Sequence, residues 1–379
     1  MGAEVTNVTA RVGKRGLPPL EHPLEDGWTL PASWYSDPAV YERERERIFS
    51  GTWQYAGPGE DVAETGCFLT LQAGHVPVVI VRGGDGQLRG FVNVCRHRGH
   101  LVASESGCRE TLQCPYHAWT YDLDGSLRRA PRSEREPGFD PAGFSLLPVA
   151  VDVWGPFVFV NPDAGAAPLA DTLADLPALV DECGIDLGTL RFHSHHEWPS
   201  EVNWKVAMEN YLECYHCAVA HPGFSTLIDV HHDAYGLRLR PTYTSQLGPV
   251  RESALAGNGK APYVPRGDVT SSQFHHVWPN TTINIAPGPQ NLSIERWVPT
   301  GPKGMVEVTD YFFGADVSQV EIDEVLAFDN QVAVEDLALV ESVQAGLDSG
   351  GVPQGRVMVE SEELIADFHR RVHEALLAP

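Results

Sequence analysis

The sequence lacks the features of a membrane, secreted or nucleic-acid-binding protein. No apolar run approaches the roughly eighteen residues that a spanning helix needs. No charged-then-apolar leader is present, so we expect a cytoplasmic rather than a secreted protein. Basic residues are scarce, with 27 Lys and Arg against 51 Asp and Glu, and the net charge of −24 disfavours nucleic acid and anionic membranes as partners.

Cysteine is also sparse, with seven residues in 379. Two of them stand in short motifs described below, and the other five show no obvious disulfide framework. This usage is typical of reduced, cytosolic proteins. The five are Cys67, Cys108, Cys183, Cys214 and Cys217.

Two short motifs carry the strongest chemical signal in the chain. They are Cys95-Arg96-His97 and Cys114-Pro115-Tyr116-His117, so each offers one thiolate and one imidazole. Two Cys and two His are the ligand set of a Rieske [2Fe–2S] centre. A zinc finger uses the same residue types but places both Cys on one arm and both His on the other. The order of Cys95, His97, Cys114 and His117 therefore favours the iron–sulfur centre.

The flanking residues indicate which kind of Rieske centre this is. Respiratory Rieske proteins carry one further Cys in each loop, joined as a disulfide across the cluster. Here His100 and Tyr116 occupy those positions, so that disulfide cannot form. The pattern favours the lower-potential type that feeds an oxygenase or a soluble relay.

The length and the 42% hydrophobic content allow two domains with sizeable cores. Residues 51–162 contain short runs rich in Val and aromatics and punctuated by Gly, which predict an antiparallel β domain that carries the two motifs. Residues 1–50 are expected to pack on the second domain, 163–379. That domain is predicted to be α+β, with a curved antiparallel sheet that grips a long C-terminal helix.

The predicted helices lie near both ends of the chain. One spans about Pro38 to Phe49, a long one about Ser318 to Leu347, and the last about Glu360 to Leu377. In the second domain, strands are expected near 190–200, 235–249, 281–298 and 305–314.

Residues 203–223 hold a second concentration of metal-ligating side chains. On a helix, Glu209, Glu213 and His216 share one face through their i, i+4 and i+7 spacing. His221 follows five residues after His216, and Pro222-Gly223 stops the helix so that both imidazoles can share one ion. Two His and one carboxylate form the facial triad of non-haem Fe(II) oxygenases.

The carboxylate must come from elsewhere, and the long helix offers several. Asp329 and Asp336 lie on its predicted inward stripe, where an ionisable residue is costly unless it is paired or ligating. Glu335 points elsewhere, so periodicity leaves Asp329 and Asp336 as candidates. The stripe is defined by Val325, Val332, Leu339 and Val343.

Taken together, these motifs resemble the catalytic subunit of the Rieske non-haem iron oxygenases, the ring-hydroxylating oxygenase family. The resemblance covers nearly the whole chain after residue 50. It implies a Rieske domain, a helix-grip catalytic domain with a mononuclear Fe(II), and a head-to-tail homotrimer. The shared motifs are Cys95-Arg96-His97-Arg98-Gly99, Cys114-Pro115-Tyr116-His117-Ala118-Trp119, Asn203-Trp204-Lys205, Glu209-Asn210-Tyr211, and His216 with His221.

The resemblance also implies individual roles. It selects Asp336, within Glu335-Asp336, as the third iron ligand. It places Glu213 at the subunit boundary, bonded to His117 of the partner subunit, as the bridge that carries the electron. Most ring dioxygenases have Asp at that position. The Glu here, within Glu-Cys-Tyr-His-Cys, is similar to oxygenases of carnitine, choline or glycine betaine.

The implied activity is hydroxylation of a small organic substrate, by monooxygenation or oxidative N-demethylation, with O₂ and electrons from an NAD(P)H-dependent flavin or iron–sulfur reductase or a ferredoxin. A quaternary ammonium substrate would require an aromatic cage. The alternatives are cis-dihydroxylation of an aromatic ring and an electron carrier without oxygenase activity. Candidate cage walls are Phe274, Trp278, Tyr311, Phe312 and Phe313.

Overall fold

A computed structural model describes residues 17–257 and 260–378. It contains a β domain and an α+β domain, which confirms the predicted fold class. The first 16 residues of the predicted N-terminal segment lie outside the described part. None of the described helices is long and apolar enough to cross a membrane.

The first domain is built from ten short antiparallel strands. Seven form a sheet in the order β1-β10-β9-β4-β3-β2-β5, and three form a small sheet in the order β6-β7-β8. The strands are β1 Gln54–Pro58, β2 Cys67–Ala73, β3 Val76–Arg82, β4 Leu88–Val92, β5 Gly107–Cys108, β6 Leu112–Gln113, β7 Thr120–Tyr121, β8 Leu127–Arg129, β9 Pro148–Trp154 and β10 Phe157–Asn161.

The second domain has one seven-stranded antiparallel sheet in the order β11-β17-β16-β15-β14-β13-β12. Its strands are β11 Leu190–Ser200, β12 Gly236–Leu239, β13 Tyr243–Pro249, β14 Ser271–Val277, β15 Thr281–Ile285, β16 Asn291–Gly301 and β17 Gly304–Gly314. Among these, β14 was not predicted. The α-helices are α1 Pro38–Glu44, α2 Leu169–Leu173, α3 Leu176–Glu182, α4 Trp204–Tyr211, α5 Cys217–Ala220, α6 Pro222–Leu227, α7 Glu252–Leu255, α8 Gln319–Asp348 and α9 Glu363–Leu377.

The long helix α8 is confirmed to within one residue at each end. A capping box begins the helix at Ser318. The Ser318 hydroxyl accepts from the backbone N–H of Glu321, and the Glu321 carboxylate accepts from the backbone N–H of Ser318. The predicted inward stripe is wrong in its second half, because Leu339 and Val343 are exposed while Val340 and Gln344 are buried. A strict seven-residue spacing drifts by about 20° per heptad on a 3.6-residue helix, so the buried face moves to new positions.

Residues 17–50 pack against the second domain. Trp34 and Phe49 share a hydrophobic core with Trp204 of α4 and Phe368 of α9. A fully buried ion pair lies inside this core, where Lys205 Nζ is 2.6 Å from Glu44 Oε1. Lys205 also donates to the Trp34 carbonyl at 3.0 Å, so the cation joins the N-terminal segment to α4.

Removing one partner of this pair should destabilise the protein strongly. We expect Glu44→Gln to lower the free energy of unfolding by about 3 kcal/mol, because it leaves the Lys205 charge buried without a counter-ion. Denaturant unfolding followed by tryptophan fluorescence measures the change. The matched control is Glu42→Gln, whose pair with Arg45 is solvent-exposed and should contribute less than about 0.5 kcal/mol. Equal effects of the two substitutions would refute the structural role of the buried pair.

The expectation of reduced cysteines is wrong for four of the five outside the motifs. Cys67 pairs with Cys108 across the β2–β5 register, and Cys214 pairs with Cys217. Only Cys183 of the five is free. The first pair could not be inferred because its members are 41 residues apart and meet only through strand pairing.

Candidate active site

The two predicted cluster loops lie side by side at one end of the β domain. The first follows β4 and the second connects β6 to β7. The rings of His97 and His117 approach to 4.5 Å between centroids. Cys95 and Cys114 are buried, whereas His97 is exposed and His117 half-buried. Two buried sulfurs and two outward imidazoles fit the unequal ligand set of a Rieske cluster.

Backbone and side-chain contacts fix the first loop. Gly99, with a φ of +76°, closes the turn by donating its N–H to the Cys95 carbonyl at 3.1 Å. The hydroxyl of Tyr121 lies 3.3 Å from Cys95 Sγ and accepts the Arg96 N–H at 2.9 Å. When it binds the cluster, Cys95 would be a thiolate that can only accept, so Tyr121 is placed to donate to the sulfur. Burial raises the pKa of the Cys114 thiol, and the neighbouring Cys95 raises it further.

The segment from Asn203 to Gly223 is not the single helix that its spacing predicts. Helix α4 begins at the Asn203 cap and ends at Tyr211, and α6 begins at Pro222 directly after His221. Glu209 accordingly faces away from the histidines. Its carboxylate accepts a hydrogen bond from the Tyr35 hydroxyl at 2.5 Å and lies 3.0 Å from His369 Nε2.

Three of the predicted ligands converge on one point. The Nε2 atoms of His216 and His221 are 3.0 Å apart, and Asp336 Oδ1 is 3.0 Å from His221 Nε2 and 3.5 Å from His216 Nε2. Adjacent ligands about 2.1 Å from one ion are separated by about 3 Å, so these distances fit a shared metal. The donor set of two imidazoles and one carboxylate suits a non-haem iron.

Two further carboxylates hold the outer nitrogens of these imidazoles. Glu213 accepts a hydrogen bond from His216 Nδ1, and Glu335 Oε2 lies 2.8 Å from His221 Nδ1. This arrangement leaves each Nε2 free for a metal, the usual pattern of metal-binding histidines. The expectation that Glu335 points elsewhere is therefore wrong.

Asp329, the other candidate left by periodicity, does not reach this point. Its carboxylate accepts a hydrogen bond from the Tyr311 hydroxyl. Asn210, by contrast, donates from Nδ2 to Asp336 Oδ1 at 2.8 Å and fixes the orientation of that carboxylate.

The electrostatics of the three-residue site favour positive charge. Burial lowers the pKa of His216, but hydrogen bonds with Asp336 and Glu213 outweigh it and raise the pKa to about 9. Burial raises the pKa of Asp336, yet the two histidines lower it overall. The same carboxylates would stabilise a bound metal cation.

A cavity of about 200 Å³ opens onto these residues. Its floor is one face of the sheet. Side chains alternate between the two faces along each strand, and cross-strand neighbours on this face include Gln246 with Phe274, and Trp297 with Glu307. Helix α8 covers it with Asp329, Val332 and Asp336. The other sheet residues that line it include Trp198, Asn284, Glu295 and Tyr311.

The aromatic predictions are correct for two of the five residues. Phe274 and Tyr311 line the cavity. Trp278 packs on Phe368, Phe312 lies in the core against Phe157, and Phe313 lines a smaller neighbouring cavity. Sequence reasoning missed five other aromatic residues, Trp198, Tyr211, Phe224, Tyr235 and Trp297, and two acidic ones, Glu295 and Glu307.

Comparison with known proteins agrees with both halves of this arrangement. The Rieske [2Fe-2S] domain family matches residues 52–150, and the ring hydroxylating alpha subunit (catalytic domain) family matches residues 187–378. The fold and site thus define a Rieske-type oxygenase, an oxidoreductase that uses a [2Fe–2S] cluster and a mononuclear iron. The chain belongs to the family of ring-hydroxylating oxygenase alpha subunits.

Several relatives are carnitine or choline monooxygenases. The carnitine monooxygenase oxygenase subunit of Acinetobacter pittii is 35% identical over 340 residues, which cover 88% of this chain and 90% of the relative. The chloroplastic choline monooxygenase of Atriplex hortensis is 32% identical and covers 93% and 79%. A crystal structure of a quaternary ammonium Rieske monooxygenase with L-carnitine matches at a TM-score of 0.79, with 33% identity and coverage of 93% and 99%. Naphthalene 1,2-dioxygenase from a Rhodococcus species, at 20% identity, shares the fold with a TM-score of 0.76.

The contact between Tyr121 and Cys95 should tune the cluster. We expect Tyr121→Phe to lower the midpoint potential by about 50 mV, because a hydrogen bond to a ligand sulfur stabilises the more negative reduced cluster. A redox titration followed by visible absorption or EPR measures the shift. The matched control is Tyr116→Phe, whose side chain is 53% exposed. A potential unchanged in Tyr121→Phe would show that the hydroxyl does not act on the sulfur.

Proposed function

We propose that this chain is the terminal oxygenase of a multicomponent system that hydroxylates a small quaternary ammonium compound, by monooxygenation or oxidative N-demethylation. The observation that carries this proposal is the two-His, one-carboxylate site facing an aromatic and acidic cavity. The names of the relatives support the substrate class, since those at 31–35% identity are carnitine and choline monooxygenases.

In this proposal His216, His221 and Asp336 hold the mononuclear iron, and Cys95, His97, Cys114 and His117 hold the cluster. When bound, the cluster supplies single electrons and the iron activates O₂. His216, His221 and Asp336 all line the cavity, where the substrate would bind beside the iron. Glu213 and Glu335 keep the protons of the two histidines on Nδ1, which directs Nε2 to the metal.

We further propose that electrons cross a subunit boundary through Glu213. Within one chain, the described residues show no hydrogen bond between Glu213 and His117. Large apolar side chains are exposed beside both groups, namely Leu101 and Tyr116 near the cluster loops and Tyr215 and Val219 near Glu213. Exposed apolar patches on two different surfaces suit a head-to-tail contact between copies, which closes into a ring such as a homotrimer.

The electron source would be an NAD(P)H-dependent flavin or iron–sulfur reductase or a ferredoxin. We place the protein with that partner in the cytoplasm. Because four cysteines form disulfides, cysteine usage does not support a cytoplasmic location. The remaining support is that NAD(P)H is supplied there. The net charge of −24 suits a basic docking surface on the reductase.

The two alternatives from the sequence have less support. An electron carrier would not need residues 187–378, which match a catalytic domain family. Structures of naphthalene 1,2-dioxygenase, at 19–21% identity, share the fold alone. The acidic side chains of Glu295, Glu307 and Asp329 in the cavity lining favour a cation over a neutral aromatic.

The proposal is tested by turnover with a reductase and NAD(P)H. Choline, carnitine, glycine betaine, naphthalene and toluene are supplied in turn, and products are identified by mass spectrometry. We expect substrate-dependent NAD(P)H oxidation, coupled to a hydroxylated or demethylated product, with at least one trimethylammonium compound. Turnover of the aromatics alone would contradict the proposed substrate class, and turnover of none with an intact cluster would favour the electron carrier.

A further inference from the structure

Besides Asp336 and Glu213, three acidic side chains line the same cavity. Glu295 comes from β16, Glu307 from β17 and Asp329 from α8. Glu295 is 5% exposed, and the other two are half-buried. Asp336 contributes to raising the pKa of Glu307, which shows that the acidic group lies within electrostatic range of the metal-binding residues.

Each of these carboxyls is held by neutral donors. Asn284 Nδ2 donates to Glu295 Oε1 at 2.7 Å, and the Thr282 hydroxyl donates to the other oxygen. Thr309 Oγ1 donates to Glu307 Oε1 at 3.1 Å, and Tyr311 donates to Asp329. These bonds fix the carboxyls in place without neutralising them.

No Lys or Arg that the structure describes balances the three acids. In the described part of the chain they form no ion pair with Lys or Arg, and neither residue type lines the cavity. Burial raises the pKa of Glu307 to about 7 and that of Glu295 and Asp329 above their ordinary values, and the other acids add to the effect for the two glutamates. A negative charge on these buried acids is costly without a cation beside it, so a positively charged ligand would stabilise their ionised forms and would itself be stabilised here.

A separate observation indicates a ligand that brings a hydrogen-bond donor. Gln246 lines the cavity and is 3% exposed, yet its Oε1 has no hydrogen-bond partner among the described residues. Its amide nitrogen is already used, donating to the Tyr211 carbonyl at 2.5 Å. The free atom is therefore an acceptor, which suits a ligand hydroxyl. Tyr211, Tyr235 and Trp297 add aromatic faces for a cation.

We infer that the substrate is a cation without a carboxylate, such as choline or another hydroxyalkyl trimethylammonium, and not a zwitterion such as carnitine or glycine betaine. Glu295, Glu307 and Asp329 would neutralise the ammonium group and repel a carboxylate. This inference rests on the proposed function, since it specifies the substrate class of the same site. It does not follow from the relatives, which include enzymes named for both kinds of compound.

The test compares four ligands on the iron-loaded holoenzyme without O₂, by isothermal titration calorimetry. Choline is the cation, 3,3-dimethyl-1-butanol is its neutral isostere, and glycine betaine and carnitine are the zwitterions. We expect choline to bind at least about 100-fold more tightly than the other three. Binding of either zwitterion as tightly as choline, or of the isostere as tightly as choline, would overturn the inference.

Variants locate the effect within the cavity. Asp329→Asn and Glu295→Gln should each weaken choline binding by about tenfold or more and leave the weak binding of the neutral isostere unchanged. The matched control is Glu324→Gln, an exposed acid on the same helix as Asp329. Unchanged choline affinity in both cavity variants would overturn the role of the acids. If no trimethylammonium compound binds while naphthalene does, the proposed function itself is wrong, which is a different outcome from preference for a zwitterion.

Discussion

Replacing His216 with alanine should lower the rate of substrate oxidation on the order of a thousandfold or more, because the iron that activates O₂ loses one of three protein ligands. His216 Nε2 lies 3.0 Å from His221 Nε2, so its imidazole is central to the site. The iron content should fall from about three to about two per subunit, since the [2Fe–2S] cluster remains. Metal analysis, visible absorption and product formation measure these effects together.

The exposed His193, which belongs to no metal-binding group among the described residues, provides a matched control. We expect His193→Ala to retain the full iron content and rate. If His216→Ala retained three irons and normal turnover, His216, His221 and Asp336 would not be the iron-binding site. Loss of the cluster absorption as well would indicate general misfolding, and Asp336→Asn, a smaller change on another element, would then be the decisive variant.

Replacing Glu213 with alanine should have the second-largest effect, a loss of coupled turnover by about 100-fold or more with the iron retained. Glu213 accepts from His216 Nδ1 and from the backbone N–H of His216 at 3.1 Å. In the proposed trimer the same carboxylate would contact His117 of the partner subunit. The measurement is the rate at which the pre-reduced cluster is reoxidised in the presence of O₂ and substrate.

Glu335 supplies the control, because it holds His221 as Glu213 holds His216. We expect Glu335→Ala to weaken metal binding by roughly 10- to 100-fold, while cluster reoxidation stays normal once iron is restored. If Glu213→Ala and Glu335→Ala behave alike, Glu213 only orients its histidine and carries no electron.

Subunit mixing tests the boundary directly. His117→Ala lacks the cluster and His216→Ala lacks the iron, so each variant alone should be inactive. In randomly mixed trimers about a quarter of the boundaries would join an intact cluster to an intact iron site, and a corresponding fraction of activity should return. No recovery after mixing would place the electron transfer within one subunit.

The features that the sequence predicts best are those encoded by neighbouring residues. The Cys95–His97 and Cys114–His117 motifs each lie within one loop, so their spacing alone brings the ligands together. His216 and His221 likewise meet across a few residues. The long helix α8 was predicted to within one residue at each end, because 30 residues of helical pattern leave little ambiguity.

The carboxylate at the metal site shows where local patterns stop being sufficient. Periodicity placed both Asp329 and Asp336 inward, and it took the family resemblance or the three-dimensional structure to separate them. Asp336 meets His221, whereas Asp329 meets Tyr311. Glu335 was assigned to the wrong side because a helix of 30 residues contacts different partners along its length.

The acidic side of the cavity was missed for a related reason. Glu295 and Glu307 alternate with apolar residues along β16 and β17, a pattern that normally marks a solvent-facing strand surface. Here helix α8 covers that surface, so the polar face of the sheet is buried and becomes the cavity wall. The alternation is visible in the sequence. Whether it marks a solvent-facing surface or a buried cavity wall depends on which face of the sheet the helix covers.

In the proposed reaction, the oxygenase inserts oxygen into a quaternary ammonium compound with electrons delivered by its [2Fe–2S] clusters. The most direct measurement is a single turnover under ¹⁸O₂ of the chemically reduced holoenzyme, without reductase, on the ammonium compound that is turned over fastest. We predict that reoxidation of the cluster is accompanied by a product whose new oxygen is ¹⁸O. Reoxidation of the cluster at the same rate without product, or a product whose oxygen comes from water while its exchange with solvent is shown to be slow, would contradict the account.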